Sequence, residues 1–320
     1  MKYALSSVAA CLLLAAASPS ALSQATATVT QTGTGNQSYV EQQRAAGIAS
    51  VTITQTGNHN AVGDPATQTG GILQRDTENM RITVAQLGDE NRVTMQQNVG
   101  DFNQTFINQS GTGNVATLLE NAVYQSTNEV AQQGQRNTVE VRGSQSLSVG
   151  AIASQNGNDN YIGVQRTLSG FVVPTVTQEG DRNRAAISLD NTFFSSAEIR
   201  QTGMDNQAGI TLNNADLINA LVVQTGNGNA ATVNTSGFAN TSLTTQIGNQ
   251  NSASINQSLA QNQASISQVG NLNTASITQV GQAASGVGAP NIAWITQNGD
   301  GFAASITQTM AGNAAGIYQH

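Results

Sequence analysis

The residues whose type and spacing could support chemistry in this sequence are the amides of glutamine and asparagine. They recur in the pattern Gln-x-Gly-x-x-Asn, of which the 320-residue chain contains eleven complete copies. A carboxamide both donates and accepts hydrogen bonds but carries no charge. Regularly spaced amides therefore predict hydrogen-bonded ladders rather than a centre for proton or group transfer.

The copies follow one another at a nearly constant interval. Successive glutamines are 22 to 24 residues apart, except for one step of 31 that contains an insertion near Asp64-Pro65. From position 246 a half-period of eleven residues is also visible, and it resumes after a second insertion that contains Pro290. The predicted ladder and turn residues are Gln31, Gly33, Asn36, Gln55, Gly57, Asn60, Gln86, Gly88, Asn91, Gln109, Gly111, Asn114, Gln132, Gly134, Asn137, Gln155, Gly157, Asn160, Gln178, Gly180, Asn183, Gln201, Gly203, Asn206, Gln224, Gly226, Asn229, Gln246, Gly248, Asn251, Gln257, Gln268, Gly270, Asn273, Gln279, Gln297, Gln308 and Gln319.

The segments between these residues have the two-residue period of β-strands. In residues 273–279, Asn, Ala, Ile and Gln fall on one face and Thr, Ser and Thr on the other. The glycine is expected to end each strand, because it accepts the positive φ that a tight turn often needs. Strand, turn, strand and turn return the chain to its start. We therefore predict an all-β, amyloid-like β-solenoid of about 13 rungs, with two short strands in each 22–23-residue repeat.

A solenoid explains how amides can lie inside a protein. A buried amide without a partner costs roughly 1–3 kcal/mol, but in a stack each glutamine can donate to one neighbour and accept from the other. Ile, Val and Ala between the amides supply dry contact. The sequence also predicts weak places where Glu120, Gly143, Leu189, Leu212 and Thr235 replace the second glutamine of a repeat. The ladder there is expected to be apolar or broken.

Composition and charge exclude several classes of function. Only 9% of the residues are charged and 38% are hydrophobic, which is short of both the surface and the core of a conventional enzyme. The net charge of −7 and the single lysine, Lys2, leave no basic patch for nucleic acid. Residues 217–299 contain no charge at all, which favours self-association over disorder. The repeats thus divide into a charged-turn part, 24–216, and a nearly charge-free part, 217–320, which is expected to assemble more readily.

The turn charges are interpreted as solvated residues that slow aggregation during export. They do not include a GGxGxD run of the kind that binds stacked calcium ions. The acidic members are Asp89, Glu90, Asp159 and Asp181, and the basic ones are Arg44, Arg92, Arg136, Arg182 and Arg184.

Residues 1–23 have the features of a secretory signal peptide. Lys2 supplies a positive charge, residues 8–17 are apolar, and small residues precede a predicted cleavage site near Ser23. The apolar run is too short to span a bilayer, which needs about 20 residues. Removal of Cys11 with the signal would leave a mature chain, residues 24–320, without cysteine.

No catalytic, metal-binding or cofactor-binding residue is predicted. The two histidines, His59 and His320, have no HxxH or CxxC spacing around them. His59 is expected to lie in the irregular insertion, which makes a Ser-His-Asp arrangement improbable. We therefore predict a structural protein rather than an enzyme.

The repeat resembles the curlin repeat of the subunits of bacterial curli fibres. Residues 246–257, QIGNQNSASINQ, match every fixed position of Gln-x-Gly-x-x-Asn-x-Ala-x-x-x-Gln, and residues 268–279 do so too. The resemblance extends over nearly all of the mature chain. It implies a secreted subunit of extracellular amyloid fibres that builds biofilm matrix and adheres to surfaces. It also implies an outer-membrane export pore, a nucleator subunit and periplasmic chaperones as partners.

Two other classes of function are open to the sequence. A monomeric solenoid with a threonine-lined face could bind ice or glycans, as suggested by Thr26-x-Thr28-x-Thr30 and Thr52-x-Thr54-x-Thr56. Many later repeats have Arg, Glu or Gln in place of those threonines, which argues against a flat threonine surface. A polysaccharide-cleaving β-helix would need clustered acids and bases, which the charge-free part cannot supply.

Overall fold

The structure is a computed structural model of the chain. It describes residues 9–15, 24–43, 47–63, 70–281 and 289–320, with side chains from residue 25 onwards. The predicted gatekeeper Arg44 and the insertion residues 64–69 lie outside the described residues. The chain divides into an N-terminal unit, Met1–Asp159, and a C-terminal unit, Asn160–His320.

All of the regular elements in the described ranges are β-strands, and their direction within each sheet is parallel. The strands of the N-terminal unit are β1 (Ala9–Ala15), β2 (Gln24–Thr32), β3 (Gln37–Gln43), β4 (Ile48–Thr56), β5 (Ala61–Val62), β6 (Gly71–Glu78), β7 (Arg81–Asp89), β8 (Arg92–Asp101), β9 (Gln104–Thr112), β10 (Val115–Tyr124), β11 (Thr127–Gln135), β12 (Thr138–Leu147) and β13 (Gly150–Asn158). Those of the C-terminal unit are β14 (Tyr161–Thr167), β15 (Thr175–Glu179), β16 (Arg184–Phe193), β17 (Ser196–Thr202), β18 (Gln207–Asp216), β19 (Asn219–Thr225), β20 (Ala230–Phe238), β21 (Thr241–Ile247), β22 (Ser252–Ser258), β23 (Asn262–Val269), β24 (Thr274–Val280), β25 (Asn291–Asn298), β26 (Ala303–Thr309) and β27 (Ala314–Gln319).

Each unit contains two sheets, because alternate strands pair with one another. In the N-terminal unit, sheet I has the order β2-β4-β7-β9-β11-β13, and sheet II contains β1, β3, β5, β6, β8, β10 and β12. In the C-terminal unit, sheet I runs β15-β17-β19-β21-β23-β25-β27 and sheet II runs β14-β16-β18-β20-β22-β24-β26. Counted along the chain, the strands make about 12 coils. The prediction of an all-β solenoid is confirmed, with a count close to the 13 rungs expected.

Every coil contains two kinds of turn. The glycine turn follows the Gln-x-Gly sequence and leads from sheet I to sheet II; the return turn leads from sheet II back to sheet I. The expectation that the glycine ends the strand is wrong for β7, β9, β11 and β13, which continue one residue further. In these coils glycine stacks on glycine, as Gly134 does on Gly157, so backbone pairing persists into the turn.

The core of each unit lies between the inward faces of its two sheets. In the C-terminal unit one column of sheet II contains Ile187, Ile210 and Val233, which are directly opposite one another in the register. All three are at most 1% exposed. Residues of this type pack well on a pleated surface, and the alternation of buried and exposed positions leaves the polar residues outside. The core is therefore a set of dry columns bordered by amide columns.

The insertions leave the coil-to-coil register intact. The first one divides a sheet II strand into β5 and β6, both of which pair with β3 and β8. Across the two long steps, Gln55 still donates to Gln86 at 2.8 Å, and Gln268 to Gln297 at 2.9 Å.

Candidate functional site

The glutamines of sheet I form a hydrogen-bonded ladder in each unit. Each Nε2 donates to the Oε1 of the glutamine in the next coil. In the N-terminal unit the N···O distances are 2.6–3.0 Å, along Gln31, Gln55, Gln86, Gln109, Gln132 and Gln155. In the C-terminal unit they are 2.8–2.9 Å, along Gln178, Gln201, Gln224, Gln246, Gln268, Gln297 and Gln319. All of the bonds run in one direction, so each ladder has a donor end and an acceptor end.

The same amides also connect the two sheets. Gln201 Nε2 donates to the carbonyl oxygen of Arg184 at 3.2 Å, and Gln224 Nε2 to that of Gln207 at 3.0 Å. Both accepting residues begin strands of sheet II. One amide thus satisfies both of its N–H groups and at least one oxygen lone pair while it is almost fully buried. These hydrogen bonds offset the free-energy cost of placing a polar group in the core.

The asparagines that open the sheet II strands form a denser ladder. Asn206 Nδ2 donates to Asn183 Oδ1 at 3.1 Å and to the carbonyl oxygen of Gly226 at 2.7 Å. Its Oδ1 accepts from both the backbone N and Nδ2 of Asn229, at 3.0 and 3.1 Å. Asn206 is 1% exposed. Each asparagine therefore holds the glycine turn of its own coil against the turns of the coils beside it.

The glycine of each turn is required by the same stacking. Gly203 has φ +117°, and a Cβ placed on it would lie 2.0 Å from the carbonyl oxygen of Gly226. A real Cβ cannot approach an oxygen so closely. The predicted glycines therefore lie in a column in which any side chain would separate the coils.

A further amide ladder, which the sequence analysis did not predict, lies on the outside of the glycine turns. The residue three positions after the glutamine accepts from the backbone of the preceding coil. Asn227 N donates to Asn249 Oδ1 and Asn249 N to Asn271 Oδ1, both at 3.0 Å. Asn271 N donates to Asp300 Oδ1 at 2.6 Å. The recurrence of Asn or Asp at this position is the sequence signal that could have revealed the ladder.

Sheet II of the N-terminal unit contains ladder residues that the sequence analysis missed. Gln42 Nε2 donates to Gln74 Oε1 at 2.7 Å, and Gln97 Nε2 to Glu120 Oε2 at 2.9 Å. Gln42 and Gln97 lie eleven residues after ladder glutamines, so the half-period could have identified them. The expectation of an apolar or broken ladder at Glu120 is wrong on this side. Its buried carboxylate replaces an amide oxygen and also accepts from Asn128 Nδ2 at 2.7 Å.

In the C-terminal unit the sheet II ladder changes in character along the chain. Gln257 donates to Gln279 at 2.9 Å and Gln279 to Gln308 at 2.8 Å. Earlier coils fill the same column with Arg166, Leu189, Leu212 and Thr235. Leu189 and Leu212 are fully buried, so this part of the column is apolar, as expected. The amide ladder of sheet II is therefore confined to the last coils of this unit.

The first ladder members of the N-terminal unit have an unused acceptor. Gln31 Nε2 donates to Gln55 Oε1, but Gln31 Oε1 is buried and has no hydrogen-bond partner among the described residues. Gln42 Oε1 in sheet II is likewise buried, and the described part of the chain offers it no hydrogen-bond partner. Both oxygens lie where a preceding coil would place a donor.

The last ladder members of the C-terminal unit have the opposite character. Gln308 Nε2 donates to the carbonyl oxygen of Ile292 at 3.0 Å, and Gln319 Nε2 to that of Ala303 at 3.2 Å. Among the described residues, neither column has a further glutamine that could accept from them. Their strands, β26 and β27, are also the last strands of their sheets. This end offers N–H donors.

Charged turn residues pair between adjacent coils. Arg136 Nε lies 2.7 Å from Asp159 Oδ1, and Arg182 Nε lies 2.7 Å from Asp205 Oδ1, both pairs being exposed. The hydrogen bond with Asp159 raises the pKa of Arg136, and the hydrogen bond from Arg182 lowers the pKa of Asp205. Exposed pairs of this kind add little stability. They satisfy the charges without removing them from water.

The structure corrects the expected place of His59. It lies in an ordinary glycine turn, with its backbone N donating to the carbonyl oxygen of Thr34 at 2.9 Å, and not in the insertion. Among the described residues no group of three or more His, Cys, Asp or Glu side chains could hold a metal ion. The described residues also contain no helix long and apolar enough to cross a bilayer.

Comparison with protein families agrees with this architecture. The family described as curlin associated repeat matches residues 248–281. Residues 248–281 therefore contain curlin-type repeats. The matched segment contains β22, β23 and β24, where both sheets have glutamine ladders. A search of curated proteins finds no match to the chain. Curlin-repeat proteins are structural proteins, and the solenoid is consistent with a curli-type structural subunit.

Proposed function

We propose that this protein, whose residues 248–281 match the curlin repeat, is a secreted subunit that adds end to end to other copies and forms an extracellular curli-type amyloid fibre. In this role it would contribute to biofilm matrix and surface adhesion. The ladder residues would then serve assembly as well as folding, because the stack of amides inside one copy would continue into the next.

The observation that carries the proposal is the complementarity of the two ladder ends. Within the described ranges, Gln31 Oε1 and Gln42 Oε1 are buried acceptors without hydrogen-bond partners. Gln308 and Gln319 are terminal donors. If the last coil of one copy stacks under the first coil of another, Gln319 would donate to Gln31 and Gln308 to Gln42. Each contact repeats the geometry that the interior coils already have.

The backbone supports the same head-to-tail arrangement. β2 ends one sheet, whereas β26 and β27 end both sheets at the other terminus. An open strand edge has a row of unpaired N–H and C=O groups, which form a template for another chain. Parallel addition to these edges would join copies through a cross-β contact, with strand stacked on strand across the joint.

The N-terminal segment gives a reason why processing would matter. β1, which lies within the predicted signal peptide, pairs in parallel with β3 from Ala9 opposite Gln37 to Ala15 opposite Gln43. It therefore occupies the edge of β3 that an incoming copy would need. We expect removal of residues 1–23 to open this edge and to permit elongation.

The test is the elongation of preformed seeds by chains 24–320. Wild-type protein should form fibres with reflections at about 4.7–4.8 Å and about 10 Å. The double variant Gln308→Leu, Gln319→Leu should elongate at least several-fold more slowly. A matched control, Thr307→Leu with Tyr318→Leu, changes exposed neighbours on the same strands and should elongate as wild type does. A chain that stays monomeric, or equal rates for the two double variants, would refute the end-to-end joint.

The remaining parts of the proposal rest on the curlin resemblance. An outer-membrane pore would export the chain, periplasmic chaperones would keep it unassembled, and a nucleator subunit would start the fibre. We propose no nucleic-acid partner and no membrane-spanning segment.

The alternative of a threonine-lined ice- or glycan-binding face is less well supported. The outward row that contains Thr28, Thr52 and Thr83 continues with Phe106 and then Glu129. A flat threonine surface would thus extend over three coils only.

A further inference from the structure

The return turns of the C-terminal unit present large apolar side chains to solvent. Five successive turns contribute to the set, and each side chain is 37–59% exposed. We call this set the apolar ridge; its members are Leu168, Phe171, Phe193, Phe194, Leu217, Phe238 and Leu259.

Backbone hydrogen bonds stack these turns directly on one another. Phe194 N donates to the carbonyl oxygen of Gly170, and Leu217 N to that of Phe193, both at 3.2 Å. The rings of Phe171 and Phe194 are parallel within 2°, with centroids 4.8 Å apart. The side chains therefore form a continuous surface along the coils rather than scattered apolar residues.

Several ridge residues adopt a backbone conformation that suits bulky side chains poorly. Phe171, Phe194 and Leu217 have φ of 56°, 50° and 56°. Asparagine enters this left-handed region more easily, and Asn191 and Asn214 do so near the ends of β16 and β18, the strands that lead into two of these turns. The chain thus has Phe and Leu where asparagine would be easier both to fold and to hydrate. Such strain with exposed apolar surface is typical of an interaction site.

The opposite corner of the same coils has a different character. There Asn227, Asn249 and Asn271 form the exposed amide ladder described above. Exposed apolar side chains also occur at that corner, such as Met204 and Leu272, but there they are interspersed with the amide ladder. On the return turns the apolar side chains instead follow one another from coil to coil.

We propose that the apolar ridge is a lateral docking surface for a second copy of this chain, ridge against ridge. This contact is separate from the end-to-end joint proposed above. If each side chain offers roughly 200 Å² when fully exposed, the ridge presents on the order of 600 Å². A standard interface buries about 800 Å² on each partner. One pair of ridges is therefore near the lower limit, and a row of joined copies would add further pairs.

The periodicity of the apolar ridge favours a second copy of this chain as the molecule that docks on it. Its rings recur at the coil spacing, and another ridge of the same repeat can match them along the whole length. An anionic lipid surface is disfavoured, because the exposed carboxylate of Asp216 lies in register between Phe193 and Phe238. Two facing ridges would bring two copies of Asp216 close together, so this residue should weaken the contact.

Disulfide cross-linking of the full chain tests the contact whether or not fibres form. Cys11→Ser removes the natural cysteine, and Leu217→Cys places a thiol at the middle of the ridge. Oxidation should give covalent dimers as the main product. Leu272→Cys is the matched control, since Leu272 is also exposed and has φ 59° but lies on a glycine turn. It should give at least several-fold fewer dimers.

Two further variants decide between a ridge contact and non-specific association. Phe171→Asn with Phe194→Asn, added to Leu217→Cys, should reduce dimers to the level of the Leu272→Cys control, with an unchanged far-UV circular dichroism spectrum. Asp216→Asn should increase them. Equal dimer yields at positions 217 and 272, or undiminished yield in the Phe→Asn variant, would overturn the proposal. A result on vesicles would also overturn the proposal. In that result the chain binds phosphatidylcholine vesicles, and the Phe→Asn variant loses this binding but keeps its dimer yield.

Discussion

Gln201→Leu removes one amide from the middle of the sheet I ladder of the C-terminal unit. Gln201 accepts from Gln178 Nε2 at 2.8 Å, and its own Nε2 donates to Gln224 Oε1 at 2.8 Å and to the carbonyl oxygen of Arg184 at 3.2 Å. Leucine has a similar volume but makes none of these bonds. The substitution therefore isolates the polar contribution of one ladder member.

The expected cost follows from the groups that lose a partner. Gln224 Oε1 loses its glutamine donor in a fully buried place. Gln178 Nε2 loses its glutamine acceptor and keeps its bond to the carbonyl oxygen of Tyr161 at 3.1 Å. Each buried group left unsatisfied costs about 1–3 kcal/mol. Burial of leucine in place of an amide offsets part of this loss. We expect a net loss of about 2–4 kcal/mol in the free energy of unfolding.

The terminal ladder member provides the matched control. Gln319→Leu deprives only Gln297 of an acceptor, at a half-exposed end where water can replace it. Its cost should stay below about 1 kcal/mol. Urea unfolding of the freshly refolded, unassembled chain, followed by circular dichroism, compares the two midpoints. Equal shifts for the two variants, or no shift for Gln201→Leu, would show that the ladder does not stabilise the fold.

Two other predictions concern the turns and the strands. Gly203→Ala should prevent native stacking of the C-terminal unit, because its Cβ would meet the carbonyl oxygen of Gly226. The Cβ of Gly209→Ala would meet no atom within 4 Å. This second substitution should therefore stabilise the fold by about 0.5–1 kcal/mol. Thermal unfolding distinguishes them, and equal tolerance would contradict the stacked-glycine argument. Arg182 lowers the pKa of Asp205. Their pair therefore stabilises the fold fully at pH values above the ordinary carboxyl pKa of about 3.9. This stabilisation is lost as the pH falls through the lowered pKa of Asp205. Arg182→Gln should return the pKa of Asp205 towards about 3.9, and an unchanged NMR titration of that carboxyl would refute the pairing.

Much of the fold follows from local patterns in the chain. The two-residue alternation around Ile199 and Val222 predicts which side chains face inward, because successive side chains of a strand point to opposite faces. The recurrence of Gln-x-Gly-x-x-Asn then predicts that each strand lies beside its own copy one repeat later. The ladder also resumes at Gln297, as the spacing of the glutamines predicts, because Gln268 donates to Gln297 across the longer step.

Other features depend on which atoms meet. Glu120 was expected to interrupt its column, but a carboxylate can accept from Gln97 and Asn128 as an amide oxygen does. His59 was expected in an insertion, and the register of the coils places it in a regular turn. The missed ladder of Asn249 and its neighbours depends on the side-chain oxygens pointing at backbone N–H groups of the preceding coil. Residue type alone does not specify that direction.

The sequence by itself determined the repeat length, the strand character and the set of inward residues, because these depend on period and on side-chain chemistry. Only the tertiary structure decided the polarity of the ladders, which leaves Gln31 with an unused acceptor and Gln319 as a terminal donor. An amide side chain can donate in either direction along a stack, and the hydrogen bonds of its neighbours set that direction. In the same way, the turn backbone that turns Phe171 and Phe194 outward depends on the coils packed on either side.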